Sequence, residues 1–284
     1  MSVRIKEYYG NTGNNMFQYF TAFLFSHLND LYFDTVMTEK MQRFISIKQN
    51  INGEKGKPIH KFPEKIITCK DITNGYISFD GLCTYIFKDY FQHSSYLNSH
   101  ASILLEFFEI TTITKKTPMP LSFAIPTSND VLCILRIGDF VHNGHNSEVV
   151  HPQYFNHALN KIEQVQTIDN IYFMVHPAND SLLTKYMNHL SRYSSKIKLL
   201  TTGRNEIFDF HVPYYFHNII MTNSTFNWWS LFFQPNLKEK RIFMPKYMGY
   251  FGLSPNMKSH GVHVKDLWNI RNITHCIDHE FIEL

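Results

Sequence analysis

A chain of 284 residues that is 44% hydrophobic and 15% aromatic is long enough for two domains and too apolar to be disordered. Its formal net charge is only +3, and its lysines and arginines are scattered with no dense basic stripe, which argues against a nucleic-acid-binding protein. The four cysteines lie far apart with no CxxC spacing, so we expect buried free thiols rather than a zinc site or a disulfide framework.

The chain opens with an apolar strand and a loop that contains two glycines. Residues 3–9 are predicted to form the strand, GNTGNNMFQY follows at 10–19, and a helix is predicted from about residue 14 to residue 28. The loop matches neither the dinucleotide-binding pattern nor the P-loop pattern. Amides at a helix N-terminus attract anions or sugar hydroxyls, but the spacing alone favours a tight turn with an asparagine N-cap.

The second half of the chain has the more regular pattern. A helix is predicted at 101–110, and the proline-containing stretch 115–130 is the clearest linker. Beyond it, apolar strands are predicted at 131–137, 170–175, 197–200, 218–222 and 241–245, helices at 151–165, 180–190 and 225–233, and the segment 205–216 continues the alternation. This alternation indicates an α/β fold with a parallel sheet covered on both faces.

The linker and the alternation predict three parts of the chain. We expect an N-terminal domain at 1–125, a C-terminal domain at 126–265 and a tail at 266–284 that packs back on the N-terminal domain. Ligands of such open α/β sheets bind at the carboxyl ends of the strands.

An arginine stands near the carboxyl end of the strand predicted at 131–137. In CILRIGDF, Arg136 interrupts an apolar run and Asp139 follows after a glycine. A buried arginine is costly unless it is paired. Its partner is therefore either a carboxylate such as Asp139, in a structural ion pair, or a ligand phosphate, which the guanidinium fork fits well.

A polar turn, Asn223-Ser224-Thr225, precedes an aromatic-rich helix. Hydroxyls and free amides at this turn could hold a diphosphate, whereas a plain Ser/Thr cap is the simpler interpretation. The adjacent Trp228 and Trp229 are expected to pack in the interior rather than to form a sugar-stacking platform.

The sequence indicates no metal site. There is no Asp-x-Asp pair, the sixteen histidines are dispersed, and HNGH at 142–145 suggests no third ligand. The N-terminal residues lack a basic segment followed by a signal-like core, and the most apolar early run, 16–28, is shorter than a membrane span. We therefore expect a cytoplasmic chain of bacterial or viral type, with no transmembrane segment and at most peripheral membrane contact.

Four segments, taken in order, resemble the α-1,2-fucosyltransferase family of inverting transferases, especially its bacterial-type members. GNTGNNMFQY resembles the family's GGLGNQMFQY, and DYFQHSSYL (89–97) is similar to its GYFQSEKYF. CILRIGDF resembles its HxRRGDY strand, and NIIMTNSTFNWWSLFF (218–233) resembles its IIANSSFSWWGAWL. The likeness spans about residues 8–245.

This resemblance implies a GT-B architecture, in which two Rossmann-like domains face each other across a cleft. The first domain would bind the glycan acceptor and the second the donor GDP-fucose. Transfer would invert the anomeric centre in one displacement, without a metal ion or other cofactor.

The resemblance also implies roles for individual residues. Arg136 and Asp139 are the predicted catalytic residues: Arg136 would contact the donor diphosphate, and Asp139 is the first candidate for the general base, ahead of Glu148. The predicted donor-binding residues are Arg136, Asn223, Ser224, Thr225 and Phe226, and the predicted acceptor-side residues are Gly13, Asn14, Tyr90 and Gln92.

Three departures from the family pattern bear on the donor. Ile134 stands where the family has a histidine, Ile137 where it has its second arginine, and Val-His-Pro at 175–177 where it commonly has Ser-Asp-Asp. The lost residues help to fix the nucleotide and its base. Two alternatives therefore stay open: the same mechanism with UDP-xylose or another GDP-deoxyhexose, and a glycan- or nucleotide-binding relative without catalytic activity.

Overall fold

Apolar runs of strand length build two parallel sheets in this chain. The computed structural model describes residues 1–58, 61–74, 82–111, 125–136, 150–175, 180–200, 205–222, 224–245, 271 and 275–277. The chain has two compact units, Met1–Lys116 and Thr117–Leu284. The mixed α/β class with parallel sheets predicted from the sequence is confirmed.

The first unit is built on a four-stranded sheet with the order β2-β1-β5-β4, in which all neighbours are parallel. A separate antiparallel pair joins β3 to β6. The strands are β1 (Ser2–Ile5), β2 (Tyr32–Phe33), β3 (Ile45–Ile47), β4 (Glu64–Ile67), β5 (Thr84–Phe87) and β6 (Phe108–Ile110). The helices are α1 (Thr12–Leu28), α2 (Glu39–Gln42), α3 (Cys69–Asn74), α4 (Ser94–Ser99) and α5 (Ala101–Phe107).

Helix α1 lies in the core of the first unit, since 13 of its 17 residues are buried. Phe108 packs edge-to-face on Phe20 and Phe23 of this helix, with ring centroids 5.0 and 4.8 Å apart. The helix predicted at 101–110 is therefore wrong in its last turn. Burial of Phe108 against α1 and pairing with β3 convert residues 108–110 into β6.

The second unit contains a six-stranded parallel sheet with the order β12-β11-β10-β7-β8-β9. Counted from β7, this is the doubly wound Rossmann order 3-2-1-4-5-6. The strands are β7 (Val131–Leu135), β8 (Ile171–Val175), β9 (Ile197–Leu200), β10 (Asn218–Met221), β11 (Arg241–Pro245) and β12 (His275–Ile277). The helices are α6 (Gln153–Glu163), α7 (Asp180–His189), α8 (Glu206–His211) and α9 (Thr225–Phe232), with 3₁₀ turns at Ser191–Tyr193, Val212–Tyr215 and Leu237–Glu239.

The central strands of this sheet are covered on both faces, because every residue of β7, β8 and β10 is buried. Aliphatic and aromatic side chains of α6 and α7 pack on one face. Strand β12 comes from the segment predicted as a C-terminal tail, and these three residues extend the second sheet through β11.

Candidate functional site

The second sheet reverses its winding between β7 and β10. The chain proceeds from β7 to β8 and β9 on one side and then returns to place β10 and β11 on the other side. Such a switch point leaves a crevice outside the carboxyl ends of the two central strands, which is where open α/β sheets bind ligands. Arg136 directly follows β7, and Ser224 lies three residues beyond β10.

Arg136 is half-buried and lies just outside the strand in which the sequence placed it. β7 ends at Leu135, and the N–H of Arg136 donates to the hydroxyl of Thr222 at 3.2 Å. The N–H of Thr222 donates in turn to the carbonyl of Ile134 at 3.2 Å. Asp139 and Glu148 lie outside the described residues, so an ion pair between Arg136 and Asp139 stays a prediction.

Ser224 is the N-cap of α9, so the prediction of a plain Ser/Thr cap at the polar turn is confirmed. Its hydroxyl accepts from the N–H of Asn227 at 3.3 Å and donates to Asn227 Oδ1 at 2.9 Å. Asn227 is fully buried and anchors this cap to the carbonyl of Asp209 at 3.2 Å. The only proton of the Ser224 hydroxyl is thus directed at Asn227, and a phosphate would have to be bound by backbone amides instead.

The other predicted donor-binding residues belong to the first turn of α9. Thr225 is 5% exposed, and the half-buried Phe226 packs its ring on Phe210 at 5.1 Å. The N-terminus of a helix is the positive end of the helix dipole, which favours an anion at this turn. Asn223 lies outside the described residues. The expected interior packing of Trp228 and Trp229 is confirmed, since both are fully buried.

The glycine-containing loop of the first unit supplies an asparagine as the N-cap of α1, but the side chain of this residue does not cap the helix. Helix α1 begins at Thr12, and its N-cap residue Asn11 makes no side-chain capping bond. Gly10 has φ +74°, and a Cβ there would lie 2.4 Å from Asn14 Nδ2. The loop therefore needs glycine at position 10 both for its backbone and for the space that Asn14 occupies.

Two polar residues of the first helical turns hold this loop from the inside. Gln18 binds both backbone groups of Tyr9: its Oε1 accepts from the N–H at 3.0 Å, and its Nε2 donates to the carbonyl at 2.8 Å. Asn15 Nδ2 donates to the carbonyls of Tyr9 and Gly10 at 3.0 and 3.2 Å. Asn15 and Gln18 are both buried, so their role here is to fix the loop.

Two of the predicted acceptor-side residues are in direct contact. Gln92 Nε2 donates to Asn14 Oδ1 at 2.8 Å, although the two residues are 78 positions apart. The contact forms because β1 and β5 are neighbouring parallel strands whose following loops lie at the same edge of the sheet. Tyr90 lies in the loop after β5 and is 39% exposed, and Gly13 is buried in the first turn of α1.

Sequence reasoning missed three residues at these two edges: Tyr9, Thr222 and Asn227. The spacing Ser-x-x-Asn after an apolar strand resembles a capping box and could have indicated Asn227. The position of Thr222 at the end of a buried strand is a weaker indication. For Tyr9 the only indication in the sequence was its position at the end of a predicted strand.

The thiols in the described part of the chain behave as expected from composition. Cys69, Cys83 and Cys133 are free and buried. Burial, and after it the negative charge of Asp89, raise the pKa of Cys69 to about 12, so this thiol is protonated at neutral pH.

Two further features are absent from the described residues. No group of three or more His, Cys, Asp or Glu side chains within these ranges is placed to hold a metal ion. None of the helices within them is long and apolar enough to cross a bilayer. Comparison with known proteins gave no match to a protein-family model, to a characterised protein or to a solved structure.

Proposed function

We propose that this chain is an inverting, metal-independent glycosyltransferase that moves a sugar from a nucleoside diphosphate to a hydroxyl of a glycan. The single observation that carries the proposal is the position of Arg136 and the N-terminus of α9 at the switch point of a Rossmann-ordered sheet. In this proposal the two units are the acceptor and donor domains of a GT-B transferase, and the fucosyltransferase resemblance of four segments supports it.

The donor diphosphate would be bound by two kinds of positive group. The guanidinium of Arg136 can bind phosphate oxygens in a bidentate manner, and the N-terminus of α9 adds the positive end of the helix dipole. Negative charge grows on the diphosphate as the glycosidic bond breaks. Groups held in place to receive that charge lower the barrier, and this electrostatic effect is commonly the largest in catalysis.

A general base is needed to take the proton from the acceptor hydroxyl as it attacks the anomeric carbon. Asp139 is the first candidate and Glu148 the second. Asp139 is three residues beyond Arg136 in the sequence, and in a single displacement the base must stand beside the acceptor hydroxyl, on the face of the sugar opposite the departing diphosphate.

GDP-fucose is the first candidate donor, and UDP-xylose or another GDP-deoxyhexose is the second. One observation favours the second: Ile134 is fully buried in β7, where the resembling family has a histidine. An aliphatic side chain in the core packs against its neighbours and offers no hydrogen bond to a nucleotide. Phosphate binding is thus retained in the proposal, while recognition of the base rests on other residues.

The proposal is tested by measuring the melting temperature of the chain with GDP, UDP, GDP-fucose and UDP-xylose, and by assaying sugar transfer in the presence of EDTA. We expect one nucleotide and its sugar to stabilise the chain, and Arg136→Ala to lower kcat/KM about 100-fold or more. Arg192→Ala is the matched control, because this exposed arginine of the same unit pairs with Glu163 at 2.9 Å.

The outcomes separate the candidates. Stabilisation by UDP alone would exclude fucose as the donor sugar. Nucleotide binding without transfer or donor hydrolysis would indicate a non-catalytic relative. Stabilisation by none of the four, or full activity of a folded Arg136→Ala variant, would contradict the proposal.

A further inference from the structure

We propose that Tyr9 and Tyr90 form an aromatic platform on which a neutral sugar ring stacks, with the amides of Asn14 and Gln92 beside it to bind the ring hydroxyls. This inference rests on the proposed function, because it names the chemical class of the acceptor and the residues that select it. It concerns the first unit alone.

The platform lies beyond the carboxyl ends of β1 and β5, two neighbouring parallel strands of the first sheet. Tyr9 precedes the glycine loop that follows β1, and Tyr90 is in the loop that follows the neighbouring strand β5. Their ring centroids are 6.0 Å apart and the ring planes are tilted by 51°. The Asn14–Gln92 hydrogen bond links the same two loops, so the two rings and the two amides share one edge of the sheet.

The backbone that carries Tyr9 is fixed by buried side chains. Gln18 and Asn15 together bind its N–H and its carbonyl. A loop that two buried amides hold in place loses little further freedom when a ligand binds, and this preserves affinity.

The backbone around Tyr90 is fixed as well. The carboxylate of Asp89 accepts from the N–H of Tyr90 at 2.7 Å and from the N–H of Cys69 at 3.0 Å. The next residue, Phe91, has φ +53° although it is not glycine, and its side chain is buried against Phe87 at 4.9 Å. A non-glycine residue in this conformation is strained, and burial of Phe91 maintains the strain while the neighbouring Tyr90 is held outward, 39% exposed.

The chemistry of these four side chains selects a neutral ligand. Two phenol rings and two carboxamides are all uncharged, and the nearby carboxylate of Asp89 is already bound to two backbone amides. An aromatic face attracts the apolar C–H face of a pyranose, and amides donate to and accept from its hydroxyls. Rigid tyrosines are well suited to such contacts, because they offer a large surface at low entropic cost.

The test is saturation-transfer-difference NMR on the full chain with lactose and methyl β-galactoside, and with glucuronate as the charged comparison. We expect the neutral sugars to receive saturation and glucuronate to receive none. Tyr90→Ala and Tyr9→Leu should each weaken binding about five-fold or more, and Tyr90→Phe should retain it. Tyr214→Ala is the matched control, because Tyr214 of the second unit is also 39% exposed.

Nucleotide-induced melting shifts are measured on the same variants, so that this inference and the proposed function can fail separately. Sugar binding that depends on Tyr90, in a chain that no nucleotide stabilises, would support the platform and contradict the transferase. Absence of neutral-sugar binding, or equal binding by wild type and Tyr90→Ala, would overturn the platform whatever the nucleotide result.

Discussion

The backbone N–H of Arg136 and the side-chain hydroxyl of Thr222 are joined by a hydrogen bond of 3.2 Å across 86 residues of sequence. The carbonyl of the same threonine accepts from the N–H of Ser224 at 2.8 Å. One fully buried residue, through its side chain and its carbonyl, therefore connects the end of β7 with the turn that enters α9. It sets the spacing between the arginine and the helix N-terminus that are proposed to bind one diphosphate.

Thr222→Val tests this connection, because valine keeps the shape of threonine and removes the acceptor. Loss of one such hydrogen bond is expected to lower the free energy of unfolding by about 1 kcal/mol, and more if the N–H of Arg136 stays unpaired. Nucleotide affinity should fall with it. Urea denaturation and nucleotide titration measure the two effects.

Thr127→Val provides the comparison for Thr222→Val. The Thr127 hydroxyl accepts from the N–H of Asn129 at 3.2 Å in an exposed turn of the same unit. We expect this variant to lose some stability and to bind nucleotide as the wild type does. If Thr222→Val left nucleotide affinity equally unchanged, the threonine would have no part in positioning Arg136.

The Ser224 cap leads to a second prediction. Ser224→Ala removes one cap and should cost about 1 kcal/mol of stability. Asn227→Ala should cost more, because it strips partners from both the Ser224 hydroxyl and the buried carbonyl of Asp209. In a double-mutant cycle the two losses are expected to be less than additive, since they remove the same bonds. Strict additivity in urea denaturation would show that the two side chains act independently.

Strands β7 to β11 of the second sheet were predicted from the sequence to within two residues, whereas β12 was not predicted. The central strands β7, β8 and β10 are short and mostly apolar, which is what burial on both faces demands. The helix predicted at 101–110 failed in its last turn because tertiary pairing with β3 overrides the local pattern. The strand predicted at 131–137 was too long, since β7 ends at Leu135 and the N–H of Arg136 donates to the side chain of Thr222.

The sequence indicated individual residues of the candidate site but not the contacts between them. The sequence indicated Asn14 and Gln92 separately, but no local pattern tells that two residues 78 positions apart share a hydrogen bond. Their contact depends on β1 and β5 being neighbours, and strand order is a property of the whole sheet. Tyr9 was missed for the same reason, because its importance comes from its contact with Tyr90.

Gly10→Ala leads to a third prediction about the glycine loop. An alanine here would have to adopt φ +74°, and its Cβ would lie 2.4 Å from Asn14 Nδ2. The strained backbone alone costs about 1–2 kcal/mol, and the clash should displace Asn14 from Gln92. We expect a drop in the melting temperature and weaker neutral-sugar binding.

Gly53→Ala is the matched control for Gly10→Ala. Gly53 has φ +57°, and a Cβ there would meet nothing within 4 Å, so this variant reports the backbone cost without a clash. Gly10→Ala should be the more damaging of the two. Adding Asn14→Ala to Gly10→Ala should recover part of the lost stability, because it removes the atoms that collide. Equal losses for the two glycine variants would mean that Asn14 does not occupy this space.

Lys240 leads to a prediction about pH. Lys240 is 7% exposed, and its ammonium donates to the carbonyls of Pro213, Tyr214 and Phe216 at 3.2, 2.8 and 2.7 Å. Burial lowers the pKa of Lys240 to about 8 from its ordinary 10.5, against the smaller opposing effect of the Glu239 charge.

Between about pH 8 and pH 10.5 the unfolded chain therefore holds a proton at Lys240 that the folded chain has released. As pH rises, the folded state, which binds fewer protons in this window, becomes more stable relative to the unfolded state. The contribution of Lys240 to folding stability therefore increases across this window. We expect the melting temperature of the wild type to rise relative to that of Lys240→Met between about pH 7.5 and about pH 9.5. A constant difference would mean that the three carbonyls hold the ammonium charged, as hydrogen bonds to a charged group can do, and that burial does not dominate its titration.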